Sequence, residues 1–475
     1  MKDFNVLFTY ALWPHEKQWG RFKKGAGNNS FSYGLASIVG VAEKGGFSIS
    51  VCDSQVERMS ESEFSEYLNK GKFDVIGLSC YTASTAYVFH TAKICKKVLP
   101  QSKIIVGGIH PTILPEETLN SCKEIDAVVI GEGEYTVLEL LKYYRDGEGS
   151  LENIEGIGFR LNDEVIKTPR RPLIKNLDEL PMPAYHLFPM EKYIPQPTVV
   201  KRYPTFTILA SRGCPYSCSF CHANEVHGKK VRYKSVSQVL KEIKYLKDNF
   251  GAKGIAFSDS TLTVNKRWVT ELCDAFVKEH LDIEWMCYSR VDTIDKDLLL
   301  KMRSSGCWAI SFGVESGIQK SLDLICKGTT VEQNVKSVKD AIDLGFFVTA
   351  TYIIGLPGED EKDAKTTIQF AKQLGTHIAI FFLPVPFPKT TLYETCLLDK
   401  GVRLDATWDD YNVTDFSNPL YVNPLLGKDK MTELVRYAVR SYYLQPTVIM
   451  RNLVQIKSID DIKKYWFAAR SIFGK

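Results

Sequence analysis

The 475-residue chain lacks a strong excess of either charge: 60 lysines and arginines stand against 56 aspartates and glutamates, a net charge of +4. Such a balance gives no electrostatic footprint for nucleic acid. Long hydrophobic runs are missing too. A membrane-spanning helix needs roughly 20 apolar residues; the nearest candidate, 378–385, is broken by Pro384 and ended by Pro386. The opening residues, Met1-Lys-Asp3-Phe-Asn-Val-Leu-Phe-Thr-Tyr10, carry no secretory pattern, because the apolar run is short and Asp3 interrupts its start. A cytoplasmic location is the expectation. Low-complexity tracts and short-period repeats are absent as well. What remains is an ordinary globular composition, 44% hydrophobic, 12% aromatic and 24% charged. The length suggests two to four domains of roughly 150 residues.

In a reducing compartment the twelve cysteines should be free thiols or metal ligands. Nine are scattered singly (Cys52, Cys80, Cys95, Cys122, Cys273, Cys287, Cys307, Cys326 and Cys396) and read as small core hydrophobes. Cys214, Cys218 and Cys221 cluster in the phrase Ser211-Arg-Gly-Cys214-Pro-Tyr-Ser-Cys218-Ser-Phe-Cys221-His222. Iron–sulfur clusters are held by thiolates, and a cubane normally takes four. Three leave one iron open to a small molecule, as a catalytic zinc site keeps one open position. Gly213 and Pro215 suit a tight loop around such a cluster. On spacing alone, a zinc site completed by His222 or His227 stays open, as do plain structural thiols.

The first domain, 1–145, alternates short Val/Ile-rich runs (5–10, 48–52, 74–80, 103–106 and 126–130) with helical patterns at 33–44, 60–69, 84–98 and 135–144. That alternation predicts a doubly wound, Rossmann-like parallel sheet buried on both faces. Residues 146–200 are dense in glycine and proline and read as a short hairpin (156–167) followed by an irregular linker. A second alternating series fills 201–398. Its strands fall at 205–211, 254–259, 283–290, 308–315, 347–355 and 378–384, and its helices at 236–249, 266–280, 296–305, 331–344 and 360–374. Ser235-Val-Ser-Gln238 suggests a capping box at the first of these helices. Six strand–helix units make a partial (β/α)6 barrel of the TIM type, in which ligands sit at the C-terminal strand ends. The cysteines directly follow the first strand. The tail, 399–475, reads as helical, with segments at 431–444, 447–456 and 460–473.

The cysteine phrase closely resembles the C-x3-C-x-aromatic-C motif of the radical S-adenosylmethionine superfamily, with Phe220 as the aromatic. Further stretches match in order at strand ends: Phe257-Ser-Asp259, Cys287-Tyr-Ser-Arg290, Gly313-Val-Glu315-Ser-Gly317, Tyr352-Ile-Ile-Gly355-Leu-Pro357-Gly-Glu359 and Pro384-Val-Pro-Phe-Pro-Lys-Thr-Thr-Leu-Tyr393-Glu394. The resemblance implies a 4Fe–4S cluster on Cys214, Cys218 and Cys221, with S-adenosyl-L-methionine on the open iron. One electron then splits the sulfonium into methionine and a 5′-deoxyadenosyl radical. It further implies that Glu315 meets the ribose hydroxyls and that Arg290 pairs with the methionyl carboxylate. Ile354, Gly355 and Phe220 would hold the adenine, and Asp259 would touch ribose or substrate.

The N-terminal domain resembles the cobalamin-binding domain that precedes the barrel in one large group of these enzymes. The matching phrases are Ser32-Tyr-Gly-Leu35-Ala36-Ser-Ile38, Gly77-Leu-Ser79-Cys-Tyr-Thr82, Val106-Gly-Gly108-Ile-His110-Pro111-Thr, Ile130-Gly-Glu-Gly-Glu134 and, in the linker, Leu180-Pro-Met-Pro183-Ala-Tyr185-His-Leu-Phe188. By that resemblance cobalamin lies over the C-terminal strand edge, with Ser79, Thr82, Gly107, Gly108, Gly131 and Glu132 beside it. The D-x-H-x-x-G motif that gives cobalt a histidine is absent, and His110 reads as a loop residue.

Both cofactors together imply methyl transfer to an unactivated carbon or phosphorus of a small-molecule, tetrapyrrole or lipid substrate. A cobalamin-dependent ring closure or rearrangement without methyl transfer is the alternative. A non-catalytic cofactor-binding module is a third reading, which the intact cysteine motif opposes. An electron donor such as flavodoxin or ferredoxin is the expected partner. The aromatic and basic segment Arg440-Ser-Tyr-Tyr443-Leu-Gln-Pro-Thr-Val-Ile-Met-Arg451 reads as a helix packed on the barrel, with a cover for the barrel mouth or a peripheral membrane contact as alternatives.

Overall fold

Runs of Val and Ile too short for a helix pair laterally in the computed structural model, which describes residues 4–14, 31–413 and 416–454. Asn5–Tyr10 (β1), Ser48–Cys52 (β2), Val75–Ser79 (β3), Lys103–Gly107 (β4) and Ala127–Val129 (β5) lie parallel in the order β2-β1-β3-β4-β5. Val6, Leu7, Ile76, Ile104, Val106 and Val128 are completely buried, as strands covered on both faces must be. Helices Tyr33–Lys44, Glu61–Gly71, Thr85–Val98 and Glu134–Asp146 provide the cover, each within two residues of its expected limits. The order reverses direction between β1 and β3, which opens a crevice at their C-terminal ends.

The hairpin, Ile157–Leu161 (β6) and Glu164–Lys167 (β7), adds to this sheet. β6 pairs antiparallel with β5, and the sheet becomes seven-stranded with β7 at its edge. Asn162 and Asp163 turn the corner at φ of 51° and 66°, the left-handed pair that a tight hairpin requires. The linker then wraps between the two sheets. The Ala184 amide bonds the Ala36 carbonyl at 3.0 Å. A side chain at Gly40 would stand 2.7 Å from the Met182 carbonyl oxygen, so only glycine lets the linker lie there. The buried Tyr185 hydroxyl donates to Glu242 at 2.5 Å, and Lys234 donates to the same carboxylate and to the Tyr33 hydroxyl.

Beyond the linker, Thr205–Ile208 (β8) starts a second sheet. Ser211–Arg212 (β9) leaves it to pair antiparallel with Arg232–Tyr233 (β10). Gly254–Phe257 (β11), Glu284–Ser289 (β12), Cys307–Glu315 (β13), Phe347–Ile353 (β14) and Ile378–Phe382 (β15) follow. The sheet is all-parallel in the order β15-β14-β13-β12-β11-β8. Each strand sits beside its predecessor, so every crossover turns the same way and the helices share one face. The helices are Val236–Phe250, Lys266–Lys278, Lys296–Ser304, Val331–Asp343 and Glu361–Leu374. Ser235 caps the first through the Gln238 amide at 3.2 Å. The capping box is incomplete, because Asp178 of the linker takes the Ser235 amide at 2.9 Å.

Helix Gly427–Tyr443 packs its buried stripe of Met431, Leu434, Val435, Ala438 and Tyr442 on the barrel. Its Tyr443 hydroxyl bonds the Ala379 carbonyl in β15 at 3.0 Å. Pro446–Val454 forms a further helix, and the expected segment 460–473 lies outside the described residues. No described helix is long and apolar enough to cross a membrane.

Tyr185→Phe removes a buried donor from a carboxylate, a contact worth roughly 1.5–3 kcal/mol. The variant should therefore melt several degrees below the wild type, as followed by circular dichroism.

Candidate active site

Short contacts fix the cysteine loop at both ends. The β9–β10 ladder pairs Arg212 with Arg232 and Ser211 with Tyr233, closing the loop between them. The chain turns out of the barrel because Asp259 captures it. Asp259, at the end of β11, accepts from the Ala210 amide at 3.3 Å and from the Ser211 amide and hydroxyl at 2.5 Å. Sequence patterning runs the first strand on to 211; these bonds end it at 208. Gly213 sits at φ +98°, where a side chain would stand 2.5 Å from the Lys230 carbonyl oxygen. Within the loop, the Cys214 amide bonds Gly228 O, the Ser219 amide bonds Ile325 O, and the Leu392 amide bonds Ser219 O, at 3.2, 2.9 and 2.9 Å.

Two of the three thiols, Cys218 and Cys221, face cations. Arg290 Nη1 lies 3.6 Å from Cys218 Sγ, and the guanidinium stacks 3.5 Å over the Tyr216 ring. Burial raises the Cys218 and Cys221 pKa values, against the opposing positive charge of Lys327 near both. Neither histidine turns toward the thiols. His222 Nε2 bonds the Pro388 carbonyl at 2.8 Å, and His227 Nδ1 lies 3.0 Å from Glu132. Both imidazoles are therefore engaged away from the cysteine loop. The donor set is thus three cysteines on one loop without a protein fourth. It suits a cubane with one open iron better than a zinc site completed by His222 or His227.

The positions expected around S-adenosylmethionine stand at the C-terminal ends of neighbouring strands. Glu315 ends β13 at φ +67°, beside a break in the β13–β14 register. A left-handed non-glycine residue at a strand end is a strained position of the kind found at functional sites. Its carboxylate accepts from Lys327 at 2.8 Å and from Thr351 at 3.2 Å. Arg290 holds Asp292 through two bonds of 3.0 Å and the Lys327 carbonyl at 2.6 Å, which aims its remaining edge at Cys218. Phe220 is half-buried. The Ile354 amide bonds Phe382 O and the Gly355 amide bonds Glu359, both at 2.9 Å, so both amides are engaged within the fold. Asp259 is also internally committed: its oxygens hold the chain that leads into the cysteine loop.

Strand register reveals residues that motifs do not. Trp285 and Cys287 of β12 point outward, since Trp285 meets Phe276 of the covering helix. Met286 and Tyr288 therefore point inward. Met286 joins Ala256, Ala309 and Trp308 in an apolar floor closed by Val199 and Phe347. One layer higher the register aligns Tyr288 with Ser311, and Ser258 follows Phe257, the partner of Cys287. Ser258 and Tyr288 are exposed and Ser311 is half-buried. Tyr288 keeps 38% of its surface accessible on the inward face of the sheet. Period-two alternation would have found all three once the face of Trp285 was known. Lys327 and Tyr216 had no sequence signal.

The expected cobalamin loops also come together. The Cys80 amide bonds Gly107 O at 2.8 Å, and the Gly131 amide bonds Thr112 Oγ1 at 3.1 Å. Gly108, at φ +117°, passes so close that a side chain would stand 2.5 Å from Cys80 O. Ser79 is half-buried and Thr82 buried beside them. Glu132 departs from this group: its carboxylate turns to the barrel, taking Arg232 at 2.9 Å twice and the Ile174 amide at 2.9 Å. Tyr81, directly after Cys80, is 53% accessible at the same strand edge. His110 is buried against Trp408, with ring centroids 4.7 Å apart, and neither of its ring nitrogens has a partner among the described residues. The Trp13 indole N–H is likewise unpartnered. Buried polar atoms without partners call for an occupant, and a large ligand at this edge would supply one.

Known proteins resemble the chain in both of its domains. The sequence model of the Radical SAM superfamily matches residues 208–371, and that of the B12 binding domain matches residues 25–141. A protein of Pyrococcus horikoshii described as an uncharacterized methyltransferase is 33% identical over 455 residues, covering 96% of either chain. The anaerobic magnesium-protoporphyrin IX monomethyl ester cyclase of Rubrivivax gelatinosus is 28% identical, covering 84% of this chain and 70% of its own. Among solved structures, the cobalamin-dependent S-adenosylmethionine radical enzyme OxsB shares the fold with a TM-score of 0.75 at 18% identity, over 99% of this chain and 72% of its own. The radical S-adenosylmethionine methyltransferase TsrM of Kitasatospora setae does so with a TM-score of 0.72 at 15% identity, over 99% of either chain. The chain belongs to the cobalamin-dependent radical S-adenosylmethionine enzyme family. Its cofactors are a 4Fe–4S cluster, S-adenosyl-L-methionine and cobalamin.

Burial raises the Asp259 pKa to about 6, against the hydrogen bonds that lower it. A carboxyl that binds its proton more tightly when folded costs stability as pH rises through that value. Asp259→Asn removes this titration. Its melting temperature relative to wild type should shift upward as pH is raised from about 4 to 7; a constant difference would count against the raised pKa.

Proposed function

We propose that the chain transfers a methyl group to an unactivated carbon or phosphorus of a tetrapyrrole, lipid or other small molecule. The observation that supports this reading is adjacency: the C-terminal edge of the first sheet adjoins the cysteine loop, with helix Ile109–Ile113 packed against helix Ala223–His227. When bound, the cluster supplies the electron that splits S-adenosylmethionine, and cobalamin supplies the methyl group.

Cys214, Cys218 and Cys221 would hold three irons and leave the fourth to the methionyl group. Arg290 and Lys327 place positive charge beside the thiolates. Glu315, held by Lys327 and Thr351 at the mouth, is the group aimed to meet the ribose. Phe220 and the backbone at Ile354 and Gly355 border the adenine. Ser79, Thr82, Gly107, Gly108 and Gly131 lie against cobalamin, with Glu132 steadying their loop. Ser258, Tyr288 and Ser311 offer hydroxyls to the substrate, and the floor around Met286 excludes water. Arg290 and Glu315 are already paired, so the chamber suits an uncharged, hydrogen-bonding part of the substrate. A flavodoxin or ferredoxin of the cytoplasm is the matching electron source. A ring closure on the same cofactors is the second reading, favoured by the cyclase relative.

Two measurements test this. Anaerobically reconstituted protein should hold about four irons and four sulfides per chain, the content of a cubane; a Cys214→Ala, Cys218→Ala, Cys221→Ala variant that keeps them would remove the site assignment. Incubated with methyl-labelled S-adenosylmethionine and reductant, the cobalamin-loaded enzyme should form labelled methylcobalamin and S-adenosylhomocysteine even without substrate. If neither forms, methyl transfer is excluded and the ring closure stands.

A further inference from the structure

Two chains of contact join the cobalamin edge to the cluster loop. The first runs through Glu132, the residue after Gly131. Its carboxylate accepts from Arg232 Nη1 and Nη2 at 2.9 Å, and lies 3.4 Å from Arg212 Nη1 and 3.0 Å from His227 Nδ1. Arg212 and Arg232 are opposite partners in the ladder that closes the cysteine loop. His227 ends the helix that follows the third cysteine. Arg212 also bonds Glu134, two residues further along the same edge. The second chain runs through helix Ile109–Ile113, directly after Gly107 and Gly108. Lys389 donates to its Ile113 carbonyl at 2.8 Å, and the neighbouring Pro388 carbonyl takes His222 Nε2 at 2.8 Å. The Gly131 amide on Thr112 joins the two chains on the cobalamin side.

The side chains of Glu132, Glu134, Arg212 and Arg232 are each less than a tenth exposed. Removing one member leaves a buried charge uncompensated, which is strongly unfavourable. The network therefore has few alternative arrangements, and moving the Gly131 loop must move the ladder.

We infer that Glu132 is a positioning residue that couples the two cofactor sites, so that cobalamin at the sheet edge tightens the cluster loop and the cluster tightens cobalamin. The inference rests on the cofactor placement proposed above. Binding linkage makes the coupling reciprocal, and couplings of this kind typically change affinity by about 5- to 150-fold.

The test is a visible-absorption titration with hydroxocobalamin of the full chain, cluster-loaded and cluster-free. Wild type should bind cobalamin at least about 5-fold more tightly when loaded, and cobalamin should slow iron loss to a chelator. In Glu132→Gln the ratio should fall toward one. Arg232→Lys, which keeps the charge but loses the fork, should also reduce it and serves if Glu132→Gln does not fold. Glu139→Gln breaks the half-exposed pair with Arg171 and should leave the ratio unchanged. A wild-type ratio of one, or a folded Glu132→Gln with the wild-type ratio, overturns the inference while the proposed function stands. Wild-type protein that takes up no cobalamin overturns the cofactor placement itself.

Discussion

The pairing of Glu132 with Arg232 is the interaction on which the two halves depend. Each half has its own sheet, and docking them buries charged groups of both at their junction. Together, Glu132, Glu134, Arg212 and Arg232 satisfy one another. The apolar core runs continuously from Val6 through Tyr185 to Tyr442, so burial supplies the adhesion. The ion network contributes geometry instead. Buried pairs add little net stability, but a displaced one is costly, so the halves dock in one pose. Lys234, Glu242, Tyr33 and Tyr185 do the same on the linker side.

Strand–helix alternation made both sheets legible, because strands covered on both faces are runs of Val and Ile. Their partnerships were less visible. β6 and β7 read as part of a linker, since nothing local in Gly156–Lys167 says that it pairs with Ala127–Val129. β10 is two residues long and has no periodicity to detect. The first barrel strand ends early because Asp259, 48 residues beyond Ser211, takes the amides of Ala210 and Ser211. In the site, the cysteine spacing and the strand-end phrases were readable as motifs. The direction of a side chain was not. Glu132 sits in a phrase typical of cobalamin domains and points at the barrel, and Lys327 reaches Glu315 from a loop that no motif marks.

The chamber shows a division of labour. Charged groups near the thiols, Arg290, Lys327 and Glu315, are paired with one another or with Asp292. Deeper, the lumen offers hydroxyls above an apolar floor. Electrostatics is thus concentrated beside the cysteine loop, and the lower layer is left to shape and hydrogen bonding.

A closed eight-stranded barrel fills its interior with its own side chains. Here the end strands, β8 and β15, do not pair with each other, and the sheet is a trough whose two edge strands are not joined by ladder bonds. A ring of hydrogen bonds fixes its own diameter; a trough does not. It can flatten or curl without breaking a single ladder bond, so the girth of its guest becomes a property of curvature. Members of one family can then share every cofactor contact and still differ widely in the size of molecule they hold.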